Sequence, residues 1–168
     1  MPKVFHGTCL CGEVAFEINA DPMLVSTCHC LNCKKFTGTA FSTNVIFPDG
    51  SINITKGRTF VNTYSDAAQD SKNTLGRVFC SQCSSPLYNI GRDGNLKIYS
   101  VFYSALDDFD IVADPHGTEE KEETKKDVVP AMEFYTKDRV GWVTSVPGAQ
   151  QHSATLTWDE FSGTIEKS

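Results

Sequence analysis

Seven cysteines stand in three short groups, Cys9-Leu10-Cys11, Cys28-His29-Cys30-Leu31-Asn32-Cys33 and Cys80-Ser81-Gln82-Cys83, and none lies elsewhere in the 168 residues. Thiols so close in sequence are poorly placed to bridge one another, and an odd number cannot pair completely. They suit a metal ion. A CxxC pair can chelate one ion from a tight turn whose amides also hydrogen-bond the sulfurs, and a CxC pair does the same from a bend. Four thiolates close a tetrahedral zinc shell, which is a structural arrangement, whereas three leave one position for water or substrate. Seven divides into four and three.

The middle group offers three thiolates, Cys28, Cys30 and Cys33, from six residues, and so a ready-made open site. Zinc held by three thiolates is a weak Lewis acid but binds an incoming thiol well and lowers its pKa from ~8.5. The chemistry this favours is that of a small thiol and its adducts. His29 sits between two of these cysteines, where its imidazole has poor reach to the same ion. It reads first as hydrogen-bonded filler, next as a supporting or acid/base group, and least as a fourth ligand. Spacing alone leaves the outer pairing open: Cys9 and Cys11 can join Cys80 and Cys83, or Cys28 and Cys30.

The elements that position these thiols read as short strands. In Glu13 to Ile18, Val14, Phe16 and Ile18 share one face and Glu13 and Glu17 the other. Further β-rich runs span Phe41 to Phe47, Ile52 to Thr55, Thr59 to Tyr64, Thr74 to Phe79, Leu96 to Ser104 and Ala131 to Tyr135. Pro48-Asp49-Gly50, Lys56-Gly57 and Gly91-Arg92-Asp93-Gly94-Asn95 punctuate them with turn residues, so antiparallel sheet is expected. Helix is expected only after Cys30 and in the polar stretch Ser65 to Ser71. A last strand is expected around Ala154 to Trp158, followed by a frayed tail. The charged run Pro115 to Asp127 reads as a surface insertion.

The length, with 40% hydrophobic residues, predicts one domain over residues 1–168 with a real core. Twenty-one acidic against 15 basic residues, a net charge of −6, argue against a nucleic-acid partner. No run approaches the ~20 apolar residues of a membrane helix, and a soluble, cytoplasmic protein with reduced thiols is expected.

The motifs Gly7-Thr8-Cys9-Leu10-Cys11-Gly12-Glu13-Val14, Cys28-His29-Cys30-Leu31-Asn32-Cys33-Lys34-Lys35-Phe36-Thr37-Gly38 and Phe79-Cys80-Ser81-Gln82-Cys83, in this order, resemble the glutathione-dependent formaldehyde-activating enzyme family, also named for centromere protein V. The resemblance covers roughly residues 3 to 108 and continues more weakly through Leu106-Asp107-Asp108 and Arg139-Val140-Gly141-Trp142. It implies a mainly β fold of the β-tent kind, antiparallel sheets stapled by a four-cysteine zinc site, similar to Rab-exchange zinc chaperones and methionine sulfoxide reductase B. It also implies the pairing that spacing leaves open: structural zinc on Cys9, Cys11, Cys80 and Cys83, and a site zinc on Cys28, Cys30 and Cys33. The activity it implies is a carbon–sulfur lyase or synthase reaction between glutathione and formaldehyde, with a small aldehyde or a related glutathione adduct as partner. Ser84 stands where the family usually has glycine, and Lys34 where arginine is frequent.

On this reading glutathione enters at the open position beside Cys28, Cys30 and Cys33, loses its proton and attacks the aldehyde carbon. Lys34, Lys35, Arg77 and Arg139 are the basic candidates for orienting its carboxylates, and Phe36 and Trp142 candidates for an apolar wall, though core packing is the commoner use of such rings. Thiols add to formaldehyde unaided, so a slower glutathione adduct would suit the same chemistry. The alternatives are a non-enzymatic, zinc-stabilised binding module and a thiol or metal sensor that releases zinc on oxidation.

Overall fold

The computed structural model describes residues 3–91, 97–108 and 129–165. Eleven strands and two α-helices are formed among them: β1 (Val4–Thr8), β2 (Ala15–Asn19), β3 (Leu24–Cys28), α1 (Leu31–Thr37), β4 (Ser42–Pro48), β5 (Ile52–Lys56), β6 (Val61–Asp66), β7 (Leu75–Cys80), β8 (Pro86–Gly91), β9 (Ile98–Phe102), β10 (Met132–Phe134), β11 (Gln150–Gln151) and α2 (Trp158–Ile165). The charged run Pro115 to Asp127 lies outside the described residues.

Two sheets result, one of three strands in the order β1-β2-β5 and one of eight in the order β11-β10-β3-β4-β9-β8-β7-β6. The mainly β architecture expected from the sequence is what the structure has. The alternation in β2 does what it predicts, since Val14, Phe16 and Ile18 are all buried while Glu13 is exposed. These side chains meet Val45, Phe47, Val78, Leu87, Val101 and Leu106 of the large sheet and its edge in one core, where each large apolar side chain contributes roughly 1.5–3 kcal/mol. Gly7 of β1 is required by close approach: a Cβ there would stand 2.2 Å from Phe16 Cζ and 2.4 Å from the Ala105 carbonyl oxygen.

Three expectations are corrected. The large sheet is not wholly antiparallel, because β10 runs parallel to both β3 and β11. Ser65 to Ser71 forms no helix; β6 runs on to Asp66, whose carboxylate is taken by Asn32 and Arg77 from other elements. Ala154 to Trp158 forms no strand. Thr157 instead starts α2 through a reciprocal capping box: its backbone N–H donates to Glu160 Oε2 at 2.8 Å, and the Glu160 N–H donates to Thr157 Oγ1 at 3.4 Å. The strands beside the two outer cysteine pairs lie in different sheets, β2 in the small one and β7 in the large one. No helix among the described residues is long and apolar enough to cross a membrane.

Candidate functional site

The outer pairs converge nonetheless. Cys9 and Cys11 lie in the turn between β1 and β2, closed by the Cys9 N–H to Val14 O bond of 3.1 Å and the Gly12 N–H to Cys9 O bond of 3.0 Å. Cys80 ends β7 and Cys83 lies in the turn that leads to β8, closed by Ser84 N–H to Cys80 O at 2.8 Å and Cys80 N–H to Ser85 O at 3.0 Å. Ser84 holds φ at +61°, the left-handed backbone a glycine takes without cost. The four Sγ atoms all lie within 4.8 Å of one another. The Cys9–Cys11 and Cys11–Cys80 sulfur separations are 3.5 and 3.9 Å, bracketing the about 3.8 Å edge of a tetrahedron with ~2.3 Å zinc–sulfur bonds. Backbone N–H groups of Val14 and Gln82 donate to Cys9 and Cys80 sulfurs at 3.2 and 3.4 Å. This donor set fits a tetrahedral thiophilic ion. Burial opposes ionisation of Cys83, but backbone donors at Cys11 and Ser85 and the neighbouring thiols bring it down to about 6. Cys11 is pushed the other way, up to about 12: its Glu13 backbone hydrogen bond lowers it, but desolvation and the Cys9, Cys83 and Cys80 thiols outweigh that bond.

The middle group forms the second cluster, with the Sγ atoms of Cys28, Cys30 and Cys33 again within 4.8 Å of one another. Cys28 ends β3 and Cys30 caps α1, accepting the Cys33 N–H at 3.3 Å. Gly38, at φ +67°, ends the helix with its N–H on Lys34 O. Hydrogen bonds from Cys28 and Cys30 hold the Cys33 thiol well below its usual range against the effect of burial, and the Arg77 guanidinium adds to them. Arg77 is 1% exposed. Its Nε donates to Asp66 Oδ2 at 2.7 Å and its NH1 to Asn89 Oδ1 at 3.3 Å and Cys33 Sγ at 3.6 Å, while the guanidinium lies 5.3 Å from the Phe36 ring centre. The buried cation therefore has two anionic neighbours, the Asp66 carboxylate and the Cys33 sulfur. Asp66 accepts both Asn32 and Gln69 amides besides.

His29 is no part of the thiol cluster. Its Nε2 lies 2.9 Å from Glu133 Oε1, and its backbone N–H extends the β3–β10 pairing onto Phe134 O at 3.0 Å. Glu133, fully buried, also accepts from Val146 N–H at 2.8 Å and Gln151 Nε2 at 2.6 Å, with Arg139 NH2 3.2 Å away. Burial alone would raise its pKa; the donors from Gln151, His29 and Val146 and the Arg139 charge bring it down to about 2. The sequence contained no sign of this network, since Glu133 sits in a strand whose neighbour Met132 is equally buried.

Two cavities meet at the triad. One, of about 490 Å³, is lined by Cys30, Leu31, Asn32, Lys34, Ala68, Gln69, Asp70, Tyr135 and Asp138. The other, of about 130 Å³, is bordered by all three cysteines. Tyr135 borders both, at φ +56°, an unfavourable backbone for an aromatic residue, and burial pushes its phenol up to about 12. Of the basic candidates, Arg77 touches the triad and Lys34 borders the larger cavity with its Nζ on Asp138 O at 2.7 Å. Arg139 is committed to Glu133 and Gln151, and Lys35 is exposed on α1. Phe36 packs in the core against Phe79 and Phe102, and Trp142 is 77% exposed, so neither walls the site.

The chain matches the family model of the glutathione-dependent formaldehyde-activating enzyme over residues 4–138. That match bears on the enzyme part of the resemblance and not on centromere protein V. No curated protein matches. A solved structure of a Rhodobacter sphaeroides protein is similar with a TM-score of 0.49 and 20% sequence identity, covering 68% of this chain and 95% of that one.

Proposed function

The chain belongs to the glutathione-dependent formaldehyde-activating enzyme family, and from that premise we propose that it joins glutathione to a small aldehyde, or reverses that addition, at Cys28, Cys30 and Cys33. The observation that carries this reading is the meeting of three converging thiols with two cavities that share Cys30 and Tyr135. Zinc held by these three sulfurs supplies an open position that favours the thiolate form of an incoming thiol. Cys9, Cys11, Cys80 and Cys83 are the residues for a second, structural zinc.

The remaining work falls to the chain itself. The larger cavity carries Lys34, a partner for one carboxylate of a peptide thiol, and Asp70 and Asp138, partners for its ammonium. Arg77 offsets negative charge on the triad from the protein side. Tyr135, which borders both cavities and keeps its proton, donates to the aldehyde oxygen on this reading. In the addition the thiol sulfur forms a bond to the carbonyl carbon, the carbonyl π pair moves to oxygen, and the thiol proton ends there.

Zinc content and glutathione affinity, measured by metal analysis and calorimetry, test the reading on wild type beside a Cys28→Ser, Cys30→Ser, Cys33→Ser variant. The expected variant is folded, holds about one zinc fewer and binds no glutathione. Equal glutathione affinity in both proteins would remove the triad from the reaction.

A further inference from the structure

The smaller cavity has a chemistry of its own. Cys28, Cys30 and Cys33 line it, and Ile46, Ile98, Phe134, Leu156 and Phe161 contribute its apolar wall. No Asp, Glu, Lys or Arg is among its described lining residues, in contrast with the larger cavity, which shares Cys30, Gln69 and Tyr135 with it. A charged peptide thiol therefore has the charged cavity to occupy, and the uncharged one is left for what the sulfur is bonded to. Ile46, Ile98 and Phe161 form a second buried cluster, separate from the main core, onto which Leu24, Phe134 and Leu156 pack. Its volume of about 130 Å³ is close to that of apolar cavities of ~150 Å³ that admit a benzene ring, and far more than one water needs. The hydrogen of formaldehyde would leave it empty.

The polar groups in this cavity are neutral, and one is unsatisfied. Asn44 lines it and is 4% exposed, with Nδ2 on Ser42 Oγ at 3.1 Å and Oδ1 buried without a hydrogen-bond partner. A buried acceptor without a donor is costly. The hydroxyl formed when a thiol adds to an aldehyde is a donor of the right kind.

Resting on the thiol chemistry proposed above, we propose that this cavity receives the carbon substituent of the aldehyde, so that this chain favours glutathione adducts of aldehydes bearing an apolar group of about four to six carbons. Asn44 Oδ1 accepts the adduct's hydroxyl. Leu156 and Phe161, which lie beyond residue 138 where the family match ends, set the depth of the cavity. The reaction balances as before: the S–C bond forms, the carbonyl π bond opens, and the thiol proton passes to the oxygen, with the substituent unchanged.

Stable thioethers test this without turnover. S-methyl-, S-butyl- and S-octylglutathione are titrated calorimetrically into the zinc-loaded full chain. Each buried methylene is worth roughly fourfold in affinity, so the butyl derivative is expected to bind at least tenfold tighter than the methyl one, with octyl falling back. Leu156→Trp, which fills the cavity, should erase the butyl advantage, while Leu156→Met keeps it. Should Leu156→Trp fail to fold, Phe161→Leu gives a second reading by moving the optimum toward octyl. Equal binding of all three thioethers, or a butyl advantage indifferent to both positions, overturns the inference while leaving the triad as the thiol site. If no glutathione derivative binds, the functional reading and the inference fall together.

Discussion

The two cysteine clusters use the same ligand atoms in opposite topological settings. Cys11 and Cys80 are 69 positions apart in sequence and their sulfurs 3.9 Å apart in space, and the two turns that carry them belong to different sheets. Cys28, Cys30 and Cys33 come from one strand end and one helix start. An ion at the first cluster would close a long loop and join two layers, so its binding energy is folding energy. An ion at the second constrains six residues already held by β3 and α1. The partners differ as well. Both clusters accept backbone N–H groups, but only the second is also backed by a buried guanidinium and borders two cavities. A cluster assembled from afar suits architecture, and one assembled locally in a cavity wall suits chemistry.

Removing one ligand from each cluster tests that contrast most directly. Cys80→Ser should lose about one equivalent of zinc and on the order of 5 kcal/mol of stability, enough to unfold much of the population at 25 °C. Cys33→Ser should stay folded with its melting temperature within a few degrees of wild type and its thiol affinity gone. Thermal melts with metal analysis check both, and equal melting temperatures for the two variants would dissolve the distinction.

Arg77→Met sharpens it next. With the guanidinium gone, the buried Asp66 carboxylate has lost its cation, which costs roughly 3–5 kcal/mol, and the Cys33 thiol rises toward its ordinary range. Alkylation of the metal-free triad at pH 7 should therefore slow about tenfold, while the four-cysteine cluster, whose sulfurs hydrogen-bond with one another and with backbone N–H groups, keeps its metal affinity.

Glu133 tests what holds the strand behind the triad. Its folded pKa of about 2 against an ordinary 4.5 corresponds to about 3 kcal/mol. Because the folded value is depressed, that contribution is fully present above pH 4.5 and is lost as the pH falls through 2. Glu133→Gln should be less stable than wild type by about 3 kcal/mol at neutral pH, with the gap closing toward pH 2. Both proteins lose metal in acid, so the difference between their denaturation curves isolates the carboxylate. A gap independent of pH would assign the cost to packing.

The smallest effect is confined to the first cluster. Ser84→Gly relieves a left-handed serine at φ +61°, offset in part by the greater freedom of glycine in the unfolded chain, and should stabilise by about 0.5–1 kcal/mol. Chemical denaturation reads this, with no change expected in thiol binding.

The legibility of the sequence followed the locality of its signals. Val14, Phe16 and Ile18 announced a strand by alternation because one face of the small sheet is buried and the other is not. β3 escaped because Val25, Ser26 and Thr27 are buried in succession, which erases alternation, and two of the three are polar. α2 did carry a local mark, Thr157-Trp158-Asp159-Glu160, but the β-rich look of the residues before it outweighed the capping pattern. Lys34, Arg77 and Arg139 were equal as basic residues in the sequence and have three different employments in space: a cavity border, a buried partner of Asp66 and Cys33, and a clamp on Glu133.

The sequence by itself determined the grouping of the thiols, their division into four and three, and the helix start that Cys30 caps, because each depends on neighbours within a few residues. The tertiary structure alone decided that Cys9 and Cys11 meet Cys80 and Cys83 across two sheets, that Arg77 and Asp66 stand behind Cys33, and that Leu156 and Phe161 close a cavity beside residues far earlier in the chain. Those are contacts of long sequence separation, selected by which buried faces fit together, and no local pattern of residues encodes that choice.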